Sequence, residues 1–286
     1  MLAQSSVETM RREMRVRYGP VASSLEGELV QVGNQLLGDD AFLLRSPGGI
    51  DFYYCKGEGV TIFRAPETTS IEEELYLNGS VYSAVACING LFPLHASAVV
   101  FEGKAWAFSG EPGAGKSTLA AALGQHGFPL LCDDTMVLDL SDPDNPVALP
   151  GHKRLKLTPA AIAMLGGIEA HEKVDDDIDK YYVAPPFGDW DQPLPVGQLC
   201  FLDIGDDFAL HPLRGAARME RLNDDHYTGW QYVRAQGRSP AQWFAFKAQL
   251  ARSMPMSRFV RPVDSTRFAD GVSFIAARLR ERLFPQ

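Results

Sequence analysis

The stretch Ala105-Trp106-Ala107-Phe108-Ser109-Gly110-Glu111-Pro112-Gly113-Ala114-Gly115-Lys116-Ser117-Thr118-Leu119 decides how the chain is read. Ala105 to Phe108 is a short apolar run of the length of a buried strand. Gly110 to Ser117 then fits the phosphate-loop pattern: a glycine, four residues, Gly-Lys, and Ser or Thr. Each residue type has a physical task. Gly110, Gly113 and Gly115 tolerate positive φ and let the backbone approach an anion closely. With Glu111, Pro112 and Ala114 they form a loop whose amide hydrogens can turn inward as a nest for phosphate oxygens. The helix that opens after Gly115, with Thr118 in its first turn, adds the positive end of its dipole. Lys116 supplies a cation for the β- and γ-phosphates. The Ser117 hydroxyl is a hard oxygen ligand of the kind Mg²⁺ prefers. The competing reading is a glycine-rich strand-to-helix turn with an accidental lysine. The apolar strand before the motif and the helix-forming run after it count against that reading.

Downstream, Phe128 to Cys132 reads as a second buried strand, closed by Asp133-Asp134. A helix of about ten residues leads roughly 15 Å away from the loop. A return strand of about five residues covers roughly 17 Å. The two nearly cancel, so the aspartates arrive beside the phosphate loop, at the carboxyl end of a strand where α/β sheets bind ligands. Adjacent residues on a strand face opposite sides, so the two carboxylates should divide the work. One can hold Mg²⁺ and the other can accept a proton from an attacking hydroxyl. The plainer alternative is an acidic turn after a strand. Upstream, a hairpin joined by Glu102-Gly103-Lys104 brings His95 level with the loop. There it can orient an acceptor or steady the catalytic aspartate, or simply be a hydrogen-bonded core histidine.

Around this centre, strands alternate with helices, which argues for an α/β domain with a central sheet. Further strands are expected at Met136–Leu140, Arg154–Leu157, Gln198–Asp203 and Phe208–Leu213. Helices are expected at Pro159–Leu165, Ala216–Leu222, Ala241–Ser253 and Arg267–Leu283. Residues 1–70 read instead as short β segments cut by Gly38, Pro47-Gly48-Gly49 and Gly57–Gly59. Ser70 and Glu73 form a capping-box pattern for a helix reaching about Asn89. The domain boundary is therefore set near residues 65–70, with a small β-rich region at 1–68 and the phosphate-loop domain at 69–286.

The chain has 286 residues, 45% apolar and 22% charged, which excludes a disordered, collagenous or coiled-coil protein. Its net charge of -9 lacks the basic footprint of a nucleic-acid binder. No apolar run approaches a membrane span, and the first residues carry no hydrophobic signal core. Cys55, Cys87, Cys132 and Cys200 stand alone, with no metal-knuckle or redox spacing. The expectation is a reduced, cytoplasmic protein with neither nucleic-acid nor membrane partners.

Leu94-His95-Ala96-Ser97-Ala98-Val99, then the phosphate loop, then Leu130-Leu131-Cys132-Asp133-Asp134 resemble the C-terminal catalytic domain of HPr kinase/phosphorylase. The strong part covers about residues 94–140. A weaker likeness runs through Pro150–Leu157 and Asp179-Lys180-Tyr181 to about residue 262. The resemblance implies a P-loop kinase domain of the HPr-kinase/PEP-carboxykinase-like type, using ATP and Mg²⁺ to phosphorylate a serine on a peptide or protein. By position it implies that Asp133 is the catalytic base, assisted by His95, and that Asp134 is the second carboxylate, placed with Ser117 on the metal. Two departures matter. No Gly-Arg-Asn-type segment lies near the C-terminus, which puts phosphorylase activity in doubt. The first 90 residues also differ from that family's N-terminal domain. The whole layout looks more like HPr-kinase-related kinases of peptide biosynthesis clusters, some of which modify a lasso-peptide precursor at a C-terminal serine. The hexamer of HPr kinases is not carried over, and a homo-oligomer stays open. A small-molecule kinase and an ATP-hydrolysing switch protein remain the rival readings.

Other clusters have plain readings beside functional ones. His152, Lys153, Arg154 and Lys156 can steady phosphate charge or lie on a solvated surface. Asp175-Asp176-Asp177 with Asp179 reads best as a solvated loop. Lys180 matches a family position and can reach the site. Arg214, Arg218 and Arg221 share a helical face, read best as solvated, and Trp190, Trp230 and Trp243 read as packing residues.

Overall fold

Period-two burial organises the N-terminal region. In the computed structural model, which describes residues 2–66, 68, 71–222 and 229–281, Ile50, Phe52 and Tyr54 are buried while their neighbours Asp51, Tyr53 and Cys55 are half-buried. Helix α1 (Leu2–Glu13) is followed by strands β1 (Val16–Tyr18), β2 (Val30–Val32), β3 (Gln35–Leu37), β4 (Ala41–Arg45), β5 (Ile50–Cys55) and β6 (Gly59–Arg64). These form one sheet in the order β1-β6-β5-β4-β3-β2, antiparallel except for β1 against β6. Helix α1 is not among the short β segments expected for this β-rich region. Val7 and Met10 stand three apart, on one helical face, and are buried against the sheet. Glu13 closes the helix: its buried carboxylate accepts from Tyr54 Oη at 2.8 Å and from the Gly57 amide at 2.7 Å.

The expected helix to residue 89 is broken in the middle. It comprises α2 (Ile71–Tyr76), a π-helical turn (Leu77–Val81) and α3 (Tyr82–Ile88). The Ser70 half of the expected capping box lies outside the described residues, as do residues 67 and 69 of the expected boundary. Helix α3 is buried from Ser83 to Ile88: its Val85, Ala86 and Ile88 join the core of the N-terminal sheet, and that core also takes in Val137 of the second sheet and Leu149, which follows β11.

The second sheet uses β7 (Phe92–Phe101), β8 (Lys104–Ser109), helix α4 (Lys116–Gln125), β9 (Leu130–Cys132), β10 (Thr135–Asp139) and β11 (Val147–Ala148). After these come β12 (Leu155–Leu157), α5 (Pro159–Leu165), β13 (Ala170–Lys173), β14 (Tyr181–Val183), β15 (Leu194–Ile204) and β16 (Ala209–Pro212). The chain continues through α6 (Ala216–Arg221), α7 (Gly229–Ala235), α8 (Pro240–Ser253), β17 (Met256–Arg261) and α9 (Phe268–Arg280). Strand order is β11-β10-β7-β8-β15-β17-β16, with β9 also on β7. Strands β8, β15 and β17 are mutually parallel neighbours at its centre. One face carries α6 and α8 through Leu222, Leu250 and Ala251, the other α4, α5 and α9 through Leu119, Ala161 and Ile275. This is an α/β layer arrangement. Strands β12, β14 and β13 form a small separate sheet. Helix α7 and strands β13, β14 and β17 have no counterpart in the sequence reading.

Candidate active site

The three parallel strands end together. Ser109 stands opposite Phe201, and Ile204 opposite Arg261. The phosphate loop leaves β8 at that end, the position where such sheets take ligands. Gly110, Gly113 and Gly115 have φ of 147°, 83° and 83°, a region that L side chains rarely adopt. A Cβ on Gly110 would come within 3.2 Å of the Leu202 carbonyl oxygen. Gly115 then caps α4 with no side-chain hydrogen bond, which leaves the first helical amides to face the loop. Lys116 is buried, and its Nζ donates to the Gly110 carbonyl at 2.9 Å and the Glu111 carbonyl at 3.2 Å. Burial pushes its pKa below the ordinary lysine value, against the pull of Asp134 and Asp133.

The aspartate pair is placed by strand register. Cys132 faces Ala98 and Thr135 faces His95, both antiparallel to β7. Strands β9 and β10 are thus one line of chain along β7, interrupted by Asp133 and Asp134. Strand β7 lies between this line and β8, so the pair is one strand further from the loop than the sequence suggests. Asp133 therefore lies across from Ser97, whose hydroxyl donates to its Oδ1 at 2.5 Å. Its Oδ2 accepts from the Lys156 amide at 3.3 Å. Asp134 takes a left-handed conformation, φ 70°, uncommon outside glycine. That turn sends its side chain the other way, to Lys156 Nζ at 2.6 Å.

The division of labour between the carboxylates differs from the expectation. Asp133 is only 1% exposed, whereas Asp134 is 23% exposed. The ring of His95 lies on Asp134, not Asp133: Nδ1 is 2.9 Å from the Asp134 carbonyl oxygen and 3.6 Å from its Oδ1. The sequence placed these three residues together, but a flat alternation along a strand cannot anticipate a positive-φ turn. Burial pushes the Asp134 carboxyl up. The Lys156 ammonium and His95 outweigh it, with help from Lys180, and hold the group below the usual carboxylate range.

A cavity of about 280 Å³ opens over Asp134, lined also by Tyr76, Gly79, Lys156, Ile178 and Lys180. The π-helical turn thus presents Gly79 to this cavity. A Cβ on Gly79 would stand 3.9 Å from Asp134 Oδ2. Such wide turns recur at functional sites, and the periodicity of the helix gives no sign of it.

The basic cluster resolves residue by residue. Lys156 belongs to the site. His152 and Arg154 bind Glu74 at 2.9 Å and 2.5 Å, and Arg154 also meets Glu172 at 2.7 Å. Lys153 donates to the carbonyls of Leu131 and Trp190 and stays within the protein. Asp175 is buried and accepts from the Asp177 amide at 2.8 Å, while Asp176, Asp177 and Asp179 are exposed. Arg218 donates to the Leu213 and Ala251 carbonyls, and Arg221 pairs with Asp203 at 2.6 Å. Trp230 and Trp243 are partly buried against core clusters, whereas Trp190 is exposed. Cys87, Cys132 and Cys200 are buried free thiols.

Sequence reasoning missed Arg261, whose guanidinium donates to the Ala114 carbonyl inside the phosphate loop. A Cβ on Gly115 would come within 3.2 Å of the same guanidinium. It sits 145 positions beyond Lys116, on a strand the hydrophobic pattern did not show, so no spacing signal could have found it.

Among the described residues no group of three or more His, Cys, Asp and Glu is arranged to hold a metal by itself. A Mg²⁺ held mostly by phosphate oxygens and water asks for less. The Ser117 hydroxyl, at the loop and without a hydrogen bond among the described residues, and the carboxylate pair are oxygen donors of the right hardness. The residues present fit such an ion. No described helix is long and apolar enough to cross a membrane.

No family model matches the chain, and no curated protein matches it. Among solved structures it is similar to the Hpr(Ser) kinase/phosphatase from Coxiella burnetii, at 11% identity and a TM-score of 0.36, over 67% of this chain and 90% of that one.

Proposed function

We propose that the chain is an ATP- and Mg²⁺-dependent phosphotransferase acting on a hydroxyl, specifically a serine of a peptide or protein. One observation carries the transfer reading: an exposed-side carboxylate, Asp134, lies beside a cavity within electrostatic reach of the phosphate-loop lysine. The serine reading, and the narrower case of a lasso-peptide precursor's C-terminal serine, rest on the sequence resemblance.

In this reading Lys116 gives up its bonds to Gly110 and Glu111 for the outer phosphates, joined by the loop amides. Ser117 would hold Mg²⁺, and the ion would supply charge neutralisation on the phosphates when bound. Asp134 takes the base role that the resemblance gave to Asp133, because it alone of the pair lines the cavity. Its lowered pKa keeps it ionised at neutral pH, and proton transfer can come late, since positioning and charge stabilisation dominate phosphoryl transfer. Asp133 is a positioning residue that ties Ser97 to the Lys156 backbone. His95 orients Asp134. Lys156 releases Asp134 to the acceptor and turns its charge to the transferring group.

Incubation of the chain with labelled MgATP and serine-bearing peptides tests this. Asp134→Asn should cost about 10²–10⁴ in transfer rate, with nucleotide affinity retained. If Asp134→Asn transfers at the native rate and Asp133→Asn does not, the base is Asp133.

A further inference from the structure

A second cavity, of about 560 Å³, lies on the other side of the phosphate loop and is continuous with Gly113, Gly115 and Thr118. Its far wall holds two apolar side chains that the fold leaves to solvent: Ile204, 77% exposed, and Val263, 69% exposed. They are neighbours by construction. Ile204 ends β15 opposite Arg261 on β17, and Val263 follows two residues later. Arg261 stands between them and the loop. Among the described residues it has no carboxylate partner, and its hydrogen bond goes to the Ala114 carbonyl. Burial alone shifts its pKa, downward. A guanidinium does not shed its proton in proteins, so a half-buried one without a counter-charge is costly unless an anion joins it. The neighbouring arginine is committed elsewhere: Arg267 lies over Phe208 and donates to the Asp206 carbonyl.

We propose that this cavity is the nucleoside subsite, with base and ribose held against Ile204 and Val263 and with Arg261 bound to the inner phosphates. It rests on the phosphotransferase reading, and it assigns the triphosphate a direction: outer phosphate toward Asp134, base toward β15 and β17. The chemistry matches at both ends. An aromatic base gains by covering exposed apolar side chains. The phosphates supply the charge Arg261 lacks.

Calorimetric titration of the full chain separates the parts, using MgATP and magnesium tripolyphosphate, which has phosphates and no nucleoside. The double variant Ile204→Asn, Val263→Asn, which adds no charge beside Arg261, should bind MgATP about tenfold or more weakly, and tripolyphosphate within about twofold of wild type. Both positions are exposed, so folding is preserved. Arg261→Gln should weaken both ligands, and Arg261→Lys should recover part of the loss for both. If the double variant binds MgATP as tightly as wild type while Lys116→Ala abolishes binding, the subsite is elsewhere and the phosphotransferase reading stands. If the wild type binds neither ligand, that reading falls and the subsite with it.

Discussion

Replacing Lys156 by methionine removes one ammonium and little volume. The Lys156 Nζ stands 2.6 Å from Asp134 Oδ2, with the two side chains 13% and 23% exposed. Removing one partner of a fully buried pair costs about 3–5 kcal/mol. An exposed pair is worth about 0–1 kcal/mol. This pair lies between those cases, and His95 and Lys180 remain near the carboxylate. A loss of about 2 kcal/mol at pH 7 follows. The sign with pH is fixed by the carboxyl. In the native chain its pKa is held below the ordinary 3.8, so its contribution to stability is present above that value and lost as pH falls through the lowered one. In Lys156→Met, burial meets less opposition and the pKa moves up. The carboxylate then becomes a cost at neutral pH, relieved as acid protonates it. Urea unfolding of both proteins at about pH 7 and about pH 4, without nucleotide and with magnesium chelated, reads the difference. The gap between the proteins should be largest at pH 7 and shrink at pH 4. An equal gap at both values, or none at pH 7, would refute the reasoning.

Two further outcomes follow from single positions. Glu13→Gln keeps the shape and one oxygen for the Tyr54 and Gly57 donors, which both go to Oε2, but turns an amide NH₂ toward Arg12 in place of Oε1, so stability at neutral pH should fall by about 1 kcal/mol. Burial raises the Glu13 pKa, but the Gly57 amide, Tyr54 and Arg12 prevail and lower it, so the native contribution is present above 4.5 and fades in acid. The variant should therefore lose the acid-dependent part of the unfolding curve. Gly115→Ala forces a Cβ into φ 83° beside Arg261, which should cost about 1–2 kcal/mol in thermal unfolding and abolish the stabilisation that MgATP gives the native chain.

The sequence was most legible where local rules act alone. The strand-to-helix turn at Gly110–Gly115, helix α4 and the return strand β9 follow from glycine chemistry and hydrophobic pattern, whereas the aspartates lie one strand further from that turn than the rise per residue suggested. Helix α5 runs over Pro159–Leu165 as expected, because proline opens it and Thr158 caps it by accepting from the Ala161 amide. What was not legible depends on partners distant in sequence. Strand β17 is a strand because β15 and β16 flank it, and through it Arg261 reaches the loop. The opposite facing of Asp133 and Asp134 was expected from alternation. Which one turns to His95 depends on the positive φ of Asp134, which no residue-type preference fixes. Helix α1 carried a signal in Val7 and Met10, three apart, that the surrounding charges obscured.

The central claim is transfer of phosphate from ATP to a hydroxyl at Asp134. Mass spectrometry of serine peptides after incubation with the chain and MgATP tests it most directly, with Lys116→Ala and Asp134→Asn beside the native protein. The native chain should place one phosphoryl group on a serine oxygen, Lys116→Ala none, and Asp134→Asn about 10²–10⁴ less per unit time. Release of inorganic phosphate alone, with water as the only acceptor and Asp134→Asn as active as the native chain, would contradict it.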